Sequence, residues 1–416
     1  MFLIEEFSFG NFKSFKDIQT LRMSKANIKS SNESLDENNI IEINEKIGLL
    51  KSKVIYGANA SGKSNVIKAL MTFCDIILKC LSEGKNVTIA DKFLFAKGTR
   101  IEPTFFQLIF YIDDVKYRYG FESSDQKIDN EWLYITHSRE TPVFIREKQK
   151  ITVTKSHMAV GFDIANMKSK LLSEKSLFLS VADSFSDKLA NKIVDSIRLF
   201  MNNNENDDEN KNNFLDNKVL KRKIIDLLKY ADIGISDLDS IELGGKEKDG
   251  KNENKKYLLG IHKEYNEDLA EVGNIKFIFD TMESEGTKEM LNNSLSILSA
   301  LELGIPLVID EFGAKLHPLL TKKILSLFNS KENKTSQLIV VTHTTELMSP
   351  DLLRRDQIDF VEKDKYGRSY LYTLVELKGI REKGYEKDYL QGKYGGIPFL
   401  GDWDNFCKME DNTIEK

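Results

Sequence analysis

Cysteine and proline are both scarce in this chain. The three cysteines, Cys74, Cys80 and Cys407, form neither a metal-ligand spacing nor a disulfide framework. That excludes a stapled secreted scaffold and leads us to expect a reducing cytoplasm. Six prolines in 416 residues leave long helices and buried strands uninterrupted, as a helix-rich α/β protein requires. No apolar run reaches the roughly 18 residues of a membrane span. The N-terminus also lacks the basic-then-apolar pattern of a secretion signal, so no membrane association is expected. Excess charge of one sign is missing too: the net charge is only −5. Bulk charge therefore does not hold the protein on nucleic acid, although a local basic stripe is not excluded.

A sizeable core is present, since 41% of residues are hydrophobic. The length suits two or three domains, or one large domain carrying an insertion. The most informative stretch is Val54-Ile55-Tyr56-Gly57-Ala58-Asn59-Ala60-Ser61-Gly62-Lys63-Ser64-Asn65. It reads as a buried strand, a glycine-bounded loop and the start of a helix. The loop fits G-x-x-x-x-G-K-[ST]. Gly57 and Gly62 let the backbone curl so that its N–H groups face phosphate oxygens. Lys63 reaches the β- and γ-phosphates, and the Ser64 hydroxyl ligates Mg²⁺. The helix N-terminus favours the anion. ATP with Mg²⁺ is the expected ligand, contacted by Gly57, Asn59, Ala60, Ser61, Gly62, Lys63, Ser64 and Asn65.

Either side of this loop the patterns alternate. Phe2 to Phe15 reads as a strand or hairpin of an antiparallel sheet. Ala26 to Glu45 is polar and reads as a loop. A helix is expected from Asn65 to about Leu81, with Cys74 and Cys80 as core filler. Thr104–Ile112 and Val115–Phe121 flank Asp113-Asp114 as a hairpin, and Glu131 to Ile135 reads as a further strand. Helical periodicity runs from Met167 to Met201 and from Phe214 to Ala231. Between them, Asn202 to Asn213 is almost entirely polar and reads as a flexible loop. Lys246 to Lys256 is a second charged loop. These loops mark out residues 142–270 as a mainly helical insertion between residues 1–141 and 271–416.

The remaining chemistry lies in the last third. The buried strand Ile305 to Ile309 ends in Asp310-Glu311, the form of a Walker B strand. Asp310 would hold Mg²⁺ opposite Ser64, and Glu311 would act as general base on the attacking water. Gln337 to Val341 is another buried strand, ending in Thr342-His343. A neutral imidazole there can bond a γ-phosphate oxygen or the attacking water, or it can cap its own loop. His317, before Pro318, is as readily structural as functional, and His137, His157 and His262 lie outside any constellation. Apolar strands alternating with helices predict a largely parallel sheet with its ligand at the strand C-termini. Ser284-Glu285-Gly286-Thr287 precedes the helix Lys288 to Leu303. It is either an ordinary capped helix start or a second anion site that closes over the ATP of another subunit.

Together these residues resemble the ABC-type ATPases of the RecF, SMC and OLD kind. The resemblance implies an α/β P-loop NTPase head of ABC type with an antiparallel β subdomain. In that family two heads sandwich two ATPs, and the serine–glycine signature of one head caps the γ-phosphate of the other. The matching positions are Gly57 to Ser64, Ser284-Glu285-Gly286-Thr287, Asp310-Glu311 and His343. Gly10-Asn11-Phe12-Lys13-Ser14-Phe15 resembles the first strand of those heads. Within the group, Asp310-Glu311-Phe312, Leu316-His317-Pro318-Leu319-Leu320, Leu353-Arg354-Arg355-Asp356-Gln357-Ile358, Phe360-Val361-Glu362-Lys363-Asp364 and Gly392-Lys393-Tyr394-Gly395-Gly396-Ile397-Pro398-Phe399 resemble the bacterial abortive-infection ATPases of the RloA or AbiLi type, with the PARIS-system ATPase as the alternative.

The chain departs from the family pattern in three places. Gly313 stands where the family has an aspartate after Asp-Glu-Phe. The signature lacks its leucine and second glycine, with Met282 and Glu285 nearby. The family's Q-loop glutamine would fall on Gln107, which equally reads as a plain strand residue. The OLD family continues into a Toprim nuclease, yet Glu362 and Asp402-Trp403-Asp404 leave too short a segment for one, so a separate effector protein is expected. The resemblance thus implies a Mg-dependent ATPase whose heads self-associate on ATP and control a partner nuclease or toxin in anti-phage defence. The alternative is a RecF-like ATPase that binds DNA directly.

Overall fold

The computed structural model describes residues 1–30, 32–45, 47–79, 91–124, 127–167, 173–204, 214–246, 252–380 and 383–398. The chain begins with β1 (Phe2–Gly10), β2 (Gln19–Arg22), α1 (Glu33–Asn38), β3 (Ile40–Glu42), β4 (Gly48–Leu50), β5 (Ser52–Gly57) and α2 (Lys63–Lys79). Five strands follow: β6 (Thr104–Ile112), β7 (Val115–Ser124), β8 (Lys127–Thr136), β9 (Glu140–Glu147) and β10 (Lys150–Val153). Next come α3 (Ala159–Asn166), α4 (Phe178–Ser184), α5 (Lys188–Asn204), α6 (Lys218–Tyr230), β11 (Asp237–Lys246), β12 (Asn252–Tyr265) and β13 (Glu271–Ile278). The last part holds α7 (Phe279–Met282), α8 (Glu285–Leu303), β14 (Leu307–Ile309), α9 (Pro318–Phe328), β15 (Leu338–Val341), β16 (Ile358–Lys363), β17 (Ser369–Thr373) and α10 (Tyr385–Leu390).

The expected parallel sheet is present, in the order β14-β15-β5-β16-β17. Its first four strands are parallel, and only the edge strand β17 runs antiparallel. Every residue of β5 is buried, which is why its sequence is a continuous run rather than an alternation. The polar member of that run, Lys53, is satisfied inside the sheet. Its ammonium donates to the Asp356 carbonyl at 2.5 Å and to Asp359 Oδ1 at 3.1 Å.

A seven-stranded antiparallel sheet, β10-β9-β8-β7-β6-β1-β2, lies beside it. Here alternation is visible: Phe106 and Leu108 of β6 are buried while Phe105, Gln107 and Ile109 are only partly so. Gln337, just ahead of β15, ties the two sheets together. Its amide accepts from Ile4 N–H at 2.7 Å and donates to Ile4 O at 2.9 Å, next to an irregularity in β1. Strands β11, β12 and β13 form a separate antiparallel sheet.

Two features describe the stretch expected as an insertion, residues 142–270. Its boundary at residue 141 falls inside β9, because Val143 and Phe144 are buried as part of the seven-stranded sheet. Its helices also share the core: buried residues of α4, α5 and α6 belong to the same apolar cluster as those of β1, β5 and α2. One carboxylate makes this junction. Glu131 on β8 accepts from the N–H groups of Phe178 and Leu179 at the start of α4, at 2.6 and 3.0 Å, and from the Tyr119 hydroxyl at 3.0 Å. It stands 3.5 Å from Arg146 of β9, and both side chains are fully buried. Burial raises the pKa of Glu131, while Arg146 and the two amides oppose the rise.

Smaller differences have local causes. Ala26 to Glu45 contains α1, capped by the Asn32 side chain. Helical periodicity from Met167 to Met201 is split, and the Asp187 carboxylate accepts from Leu189 and Ala190 at the start of α5. The charged stretch Lys246 to Lys256 is shorter as a loop than expected, since β11 and β12 pair as far as Lys246 and Asn252. Cys80, Cys407, the Asp402-Trp403-Asp404 run and residues 205–213 lie outside the described residues. Cys74 is buried on α2, and that burial pushes its thiol pKa up.

Candidate functional site

Strand β5 delivers the glycine-rich loop at its C-terminal end, and α2 begins at Lys63. Both loop glycines are required by space as well as backbone angle. At Gly57 (φ +154°) a Cβ would lie 2.3 Å from the Val361 carbonyl oxygen. At Gly62 (φ +110°) it would lie 2.6 Å from Ser14 Oγ and 2.7 Å from Ser369 Oγ. Those two serines buttress the loop from below. Ser369 Oγ donates to Ser61 O at 2.5 Å, and Asn65 Nδ2 donates to Ser14 Oγ at 2.9 Å. Ser369 N–H also donates to Ser14 O at 2.8 Å, which joins the two supports. Ser14 lies in the stretch that resembles a first head strand. Ser369 carried no sequence signal, because only sheet pairing brings β17 beneath the loop.

The loop forms one wall of a cleft of about 450 Å³ lined by Asn59, Ala60, Gly62, Lys63, Ser64, Asn65, Asp310, Glu311, Val341 and His343. Residues separated by hundreds of positions meet there because β14 and β15 end beside β5. The Lys63 ammonium folds over the loop and donates to the carbonyls of Gly57 and Ala58, each at 2.9 Å. Burial lowers its pKa, and the nearby Asp310 opposes the shift.

Ser64 Oγ donates to Asp310 Oδ1 at 3.1 Å. This hydroxyl and carboxylate are hard oxygen donors on an exposed rim, the set that Mg²⁺ binds while keeping most of its waters. The residues present therefore fit that ion.

Glu311 has φ +54°, a left-handed conformation that costs a non-glycine residue on the order of 1 kcal/mol. The chain turns sharply there, so that Glu311 lines the cleft while Phe312 returns to the core. Phe312 N–H donates to Val341 O at 2.8 Å, and Thr342 Oγ1 donates to Phe312 O at 2.6 Å. Gly313, at φ +85°, would place a Cβ 2.7 Å from Thr321 Cγ2. That geometry explains why glycine stands where the resemblance implies aspartate.

His343 is exposed at the end of β15. Its pKa is lowered first by partial desolvation of the ring against the cleft and second by the Lys63 charge, with Glu311 and Asp310 opposing. An imidazole held neutral in this way can donate or accept one hydrogen bond at the cleft. His317, by contrast, is a helix cap: its Nδ1 accepts from Leu319 N–H at 3.2 Å, with Pro318 at the first position of α9.

Ser284, Gly286 and Thr287 do not line this cleft. Ser284 is the N-cap of α8, and its hydroxyl accepts from Thr287 N–H at 3.1 Å. A Cβ on Gly286 would lie 2.9 Å from Lys315 O, so the turn packs against the segment that follows Asp310-Glu311. Glu285 joins the two, pairing with Lys288 at 2.9 Å and Lys315 at 3.2 Å. His262, which stood in no constellation, contacts Glu283 at 2.5 Å just before this turn. Gln107 is not among the residues lining the cleft; it lies on β6, where its Oε1 accepts from Trp132 Nε1 at 3.1 Å and Arg118 Nη1 at 3.3 Å. It is a strand residue.

Residues 54–349 match the family model described as "AAA domain, putative AbiEii toxin, Type IV TA system". No curated protein matches the chain. Among solved structures, the chain is similar to an Smc head bound to the C-winged helix domain of ScpA, at 15% identity and a TM-score of 0.43, covering 89% of this chain and 97% of that one. An SMC head domain from Thermotoga maritima is similar at 12% identity and a TM-score of 0.37, covering 89% and 98%. An Smc head domain with an extended coiled coil, bound to the C-terminal domain of ScpA derived from Pyrococcus furiosus, is similar at 14% identity and a TM-score of 0.40, covering 90% and 96%. Scores of this size carry no conclusion about chemistry, which rests on the cleft and on the family match.

Proposed function

The chain belongs to this AAA-domain family of P-loop ATPases, and from that premise we propose that it is a Mg-dependent ATP hydrolase that regulates a separate effector in abortive-infection defence. The observation that carries the reading is the meeting of Lys63, Ser64, Asp310, Glu311 and His343 in one cleft. The RloA, AbiLi or PARIS type is the finer assignment, supported by the sequence stretches that resemble it. Among the described residues no helix is long and apolar enough to cross a membrane, and a cytoplasmic location is part of the proposal.

The residues divide the chemistry as follows. The backbone of Gly57 to Ser64 cradles the phosphates, and Lys63 leaves its two carbonyl partners to pair with the β- and γ-phosphates. Ser64 and Asp310 hold Mg²⁺, which neutralises phosphate charge when bound. Glu311 takes a proton from the attacking water as the new P–O bond forms and the bond to ADP breaks. His343, neutral, orients that water or a γ-phosphate oxygen. Ser284, Gly286 and Thr287 sit off the cleft on an exposed turn, which supports a role for them at the ATP of a second copy rather than at their own. Met282 and Leu319 are also exposed, at 62% and 65%. Met282, two residues before that turn, offers apolar surface there for self-association.

The test is steady-state phosphate release by wild type, Lys63→Ala and Glu311→Gln, with ATP binding measured in parallel. The expected result is loss of binding in Lys63→Ala and retained binding without turnover in Glu311→Gln. Wild type no faster than both variants rejects the enzyme reading.

One observation favours a second reading, direct DNA binding. Helix α6 lines a cavity of about 520 Å³ with Lys218, Lys221, Arg222 and Lys229, an excess of basic residues over Asp226 and Asp237, the latter paired with Lys221 at 2.9 Å, and it packs on α8. ATP-dependent duplex binding that weakens steeply with salt, and is lost in Lys218→Glu/Arg222→Glu, would select it.

A further inference from the structure

The stretch Gly392 to Pro398 and the helix before it play no part in the scheme above, yet both contact segments that lead into the cleft. Helix α10 is only six residues long, but its side chains contact two separate segments that border the nucleotide site. On one side the buried Tyr389 lies between Tyr56 and Phe360, with ring centroids 5.9 and 5.4 Å away. Its hydroxyl donates to Gly396 O at 3.0 Å. Gly396 packs directly on the phosphate loop, since a Cβ there would lie 3.6 Å from Gly57 Cα. Gly57 O in turn accepts from the Lys63 ammonium at 2.9 Å.

On the other side Glu386 Oε1 accepts from Thr345 Oγ1 at 2.6 Å. Thr345 is two residues beyond His343. Tyr56 closes the circuit, with its hydroxyl 3.4 Å from Thr344 O. One short helix therefore holds the first glycine of the loop through Tyr389 and the histidine segment through Glu386.

We infer that Tyr389 and Glu386 are positioning residues, which hold the phosphate loop and the His343 segment in register across the cleft. Neither touches nucleotide. Tyr389 acts through Gly396, which packs on Gly57, the residue whose carbonyl accepts from the Lys63 ammonium. It governs how well the loop is preorganised to receive phosphate. Glu386 acts through Thr345 and governs where His343 stands at the moment of attack. The two links have different kinetic signatures. A disordered loop weakens ground-state binding, whereas a displaced histidine lowers turnover.

This inference rests on the ATPase reading, so the experiment separates the two. Full-length wild type, Lys63→Ala, Tyr389→Phe, Glu386→Ala and Glu386→Gln are compared for ATP binding, KM, kcat and melting temperature. Phenylalanine keeps the ring stack and removes only the hydroxyl. Tyr389→Phe is expected to raise KM about three- to tenfold, the scale of one hydrogen bond, with kcat nearly unchanged. Glu386→Ala is expected to lower kcat by a similar factor with KM nearly unchanged. Glu386→Gln, whose amide oxygen still accepts from Thr345, restores most of it. Melting temperatures stay close to wild type. Wild-type kinetics in Tyr389→Phe and Glu386→Ala, alongside lost binding in Lys63→Ala, overturns the inference and leaves the ATPase reading intact. KM and kcat falling off together with a lowered melting temperature also overturns it, by making α10 merely structural. Unimpaired ATP binding in Lys63→Ala overturns the underlying reading itself.

Discussion

Ser64 and Asp310 are 246 positions apart, yet the serine hydroxyl donates to the aspartate carboxylate at 3.1 Å. The contact exists because β14 and β5 both flank β15 in the parallel sheet, so their C-terminal ends open on the same cleft. Removing either oxygen leaves the phosphate loop itself intact. Asp310→Asn is therefore expected to lose ATP hydrolysis by at least tenfold and to need more Mg²⁺ for what remains. A Mg²⁺ titration of phosphate release, wild type against variant, measures it; an unchanged half-saturating concentration would count against the assigned pair.

Ser284 lies on an exposed turn outside its own cleft. Replacing it with a large charged residue, Ser284→Arg, should block approach of a second copy while sparing the nucleotide site of the same chain. The expected outcome is normal ATP binding by the monomer, no dimer in light scattering with ATP and Glu311→Gln in the background, and turnover reduced at least tenfold. A dimer that persists would remove this turn from the interface.

His343 sets a pH limit whose direction follows from its surroundings. Burial and the Lys63 charge lower its pKa from the ordinary 6.5. The folded protein thus binds this proton less readily than the unfolded chain, and the imidazole is neutral at pH 7. Its contribution to stability is complete above the unfolded value and is lost as the pH falls from there through the lowered folded value. Activity should be level above pH 6.5 and decline only at a lower pH. In His343→Gln, which cannot titrate there, that decline should vanish from the kcat profile even though the rate is lower throughout. A profile with the same acid limb in both proteins would assign the limb to another group.

Lys53 and Asp359 are each 1% exposed and pair at 3.1 Å beneath the phosphate loop. Burial raises the Asp359 pKa, with Lys53 pulling it back down. Lys53→Met removes the counter-charge and leaves a buried carboxyl, at a cost of about 3–5 kcal/mol. Urea denaturation should show the lowered midpoint. The double variant Lys53→Met/Asp359→Leu should recover much of the loss, because an apolar pair needs no charge compensation.

The sequence determined the pieces whose chemistry is local. A glycine-bounded loop needs Gly57 and Gly62 wherever it is found, and the continuous apolar run of β5 marks a strand covered on both faces. The Asp310-Glu311 pair after β14 and His343 after β15 could be read because strand ends in a parallel sheet converge on one edge. The hairpin of β6 and β7 was equally legible from its alternation. The middle of the chain was not. Two polar loops there marked out residues 142–270, but nothing in the helical periodicity between them reveals what an apolar face packs against. Only the folded chain joins α4 to β8 through Glu131 and Arg146, or sets Ser369 beneath Gly62. Likewise, only tertiary packing turns Tyr389 and His262 from isolated polar residues into contacts of Gly396 and Glu283. Spacing along the chain carries information about neighbours within a turn or a strand; partners a hundred residues away are chosen by burial and by the requirement that buried polar groups be satisfied.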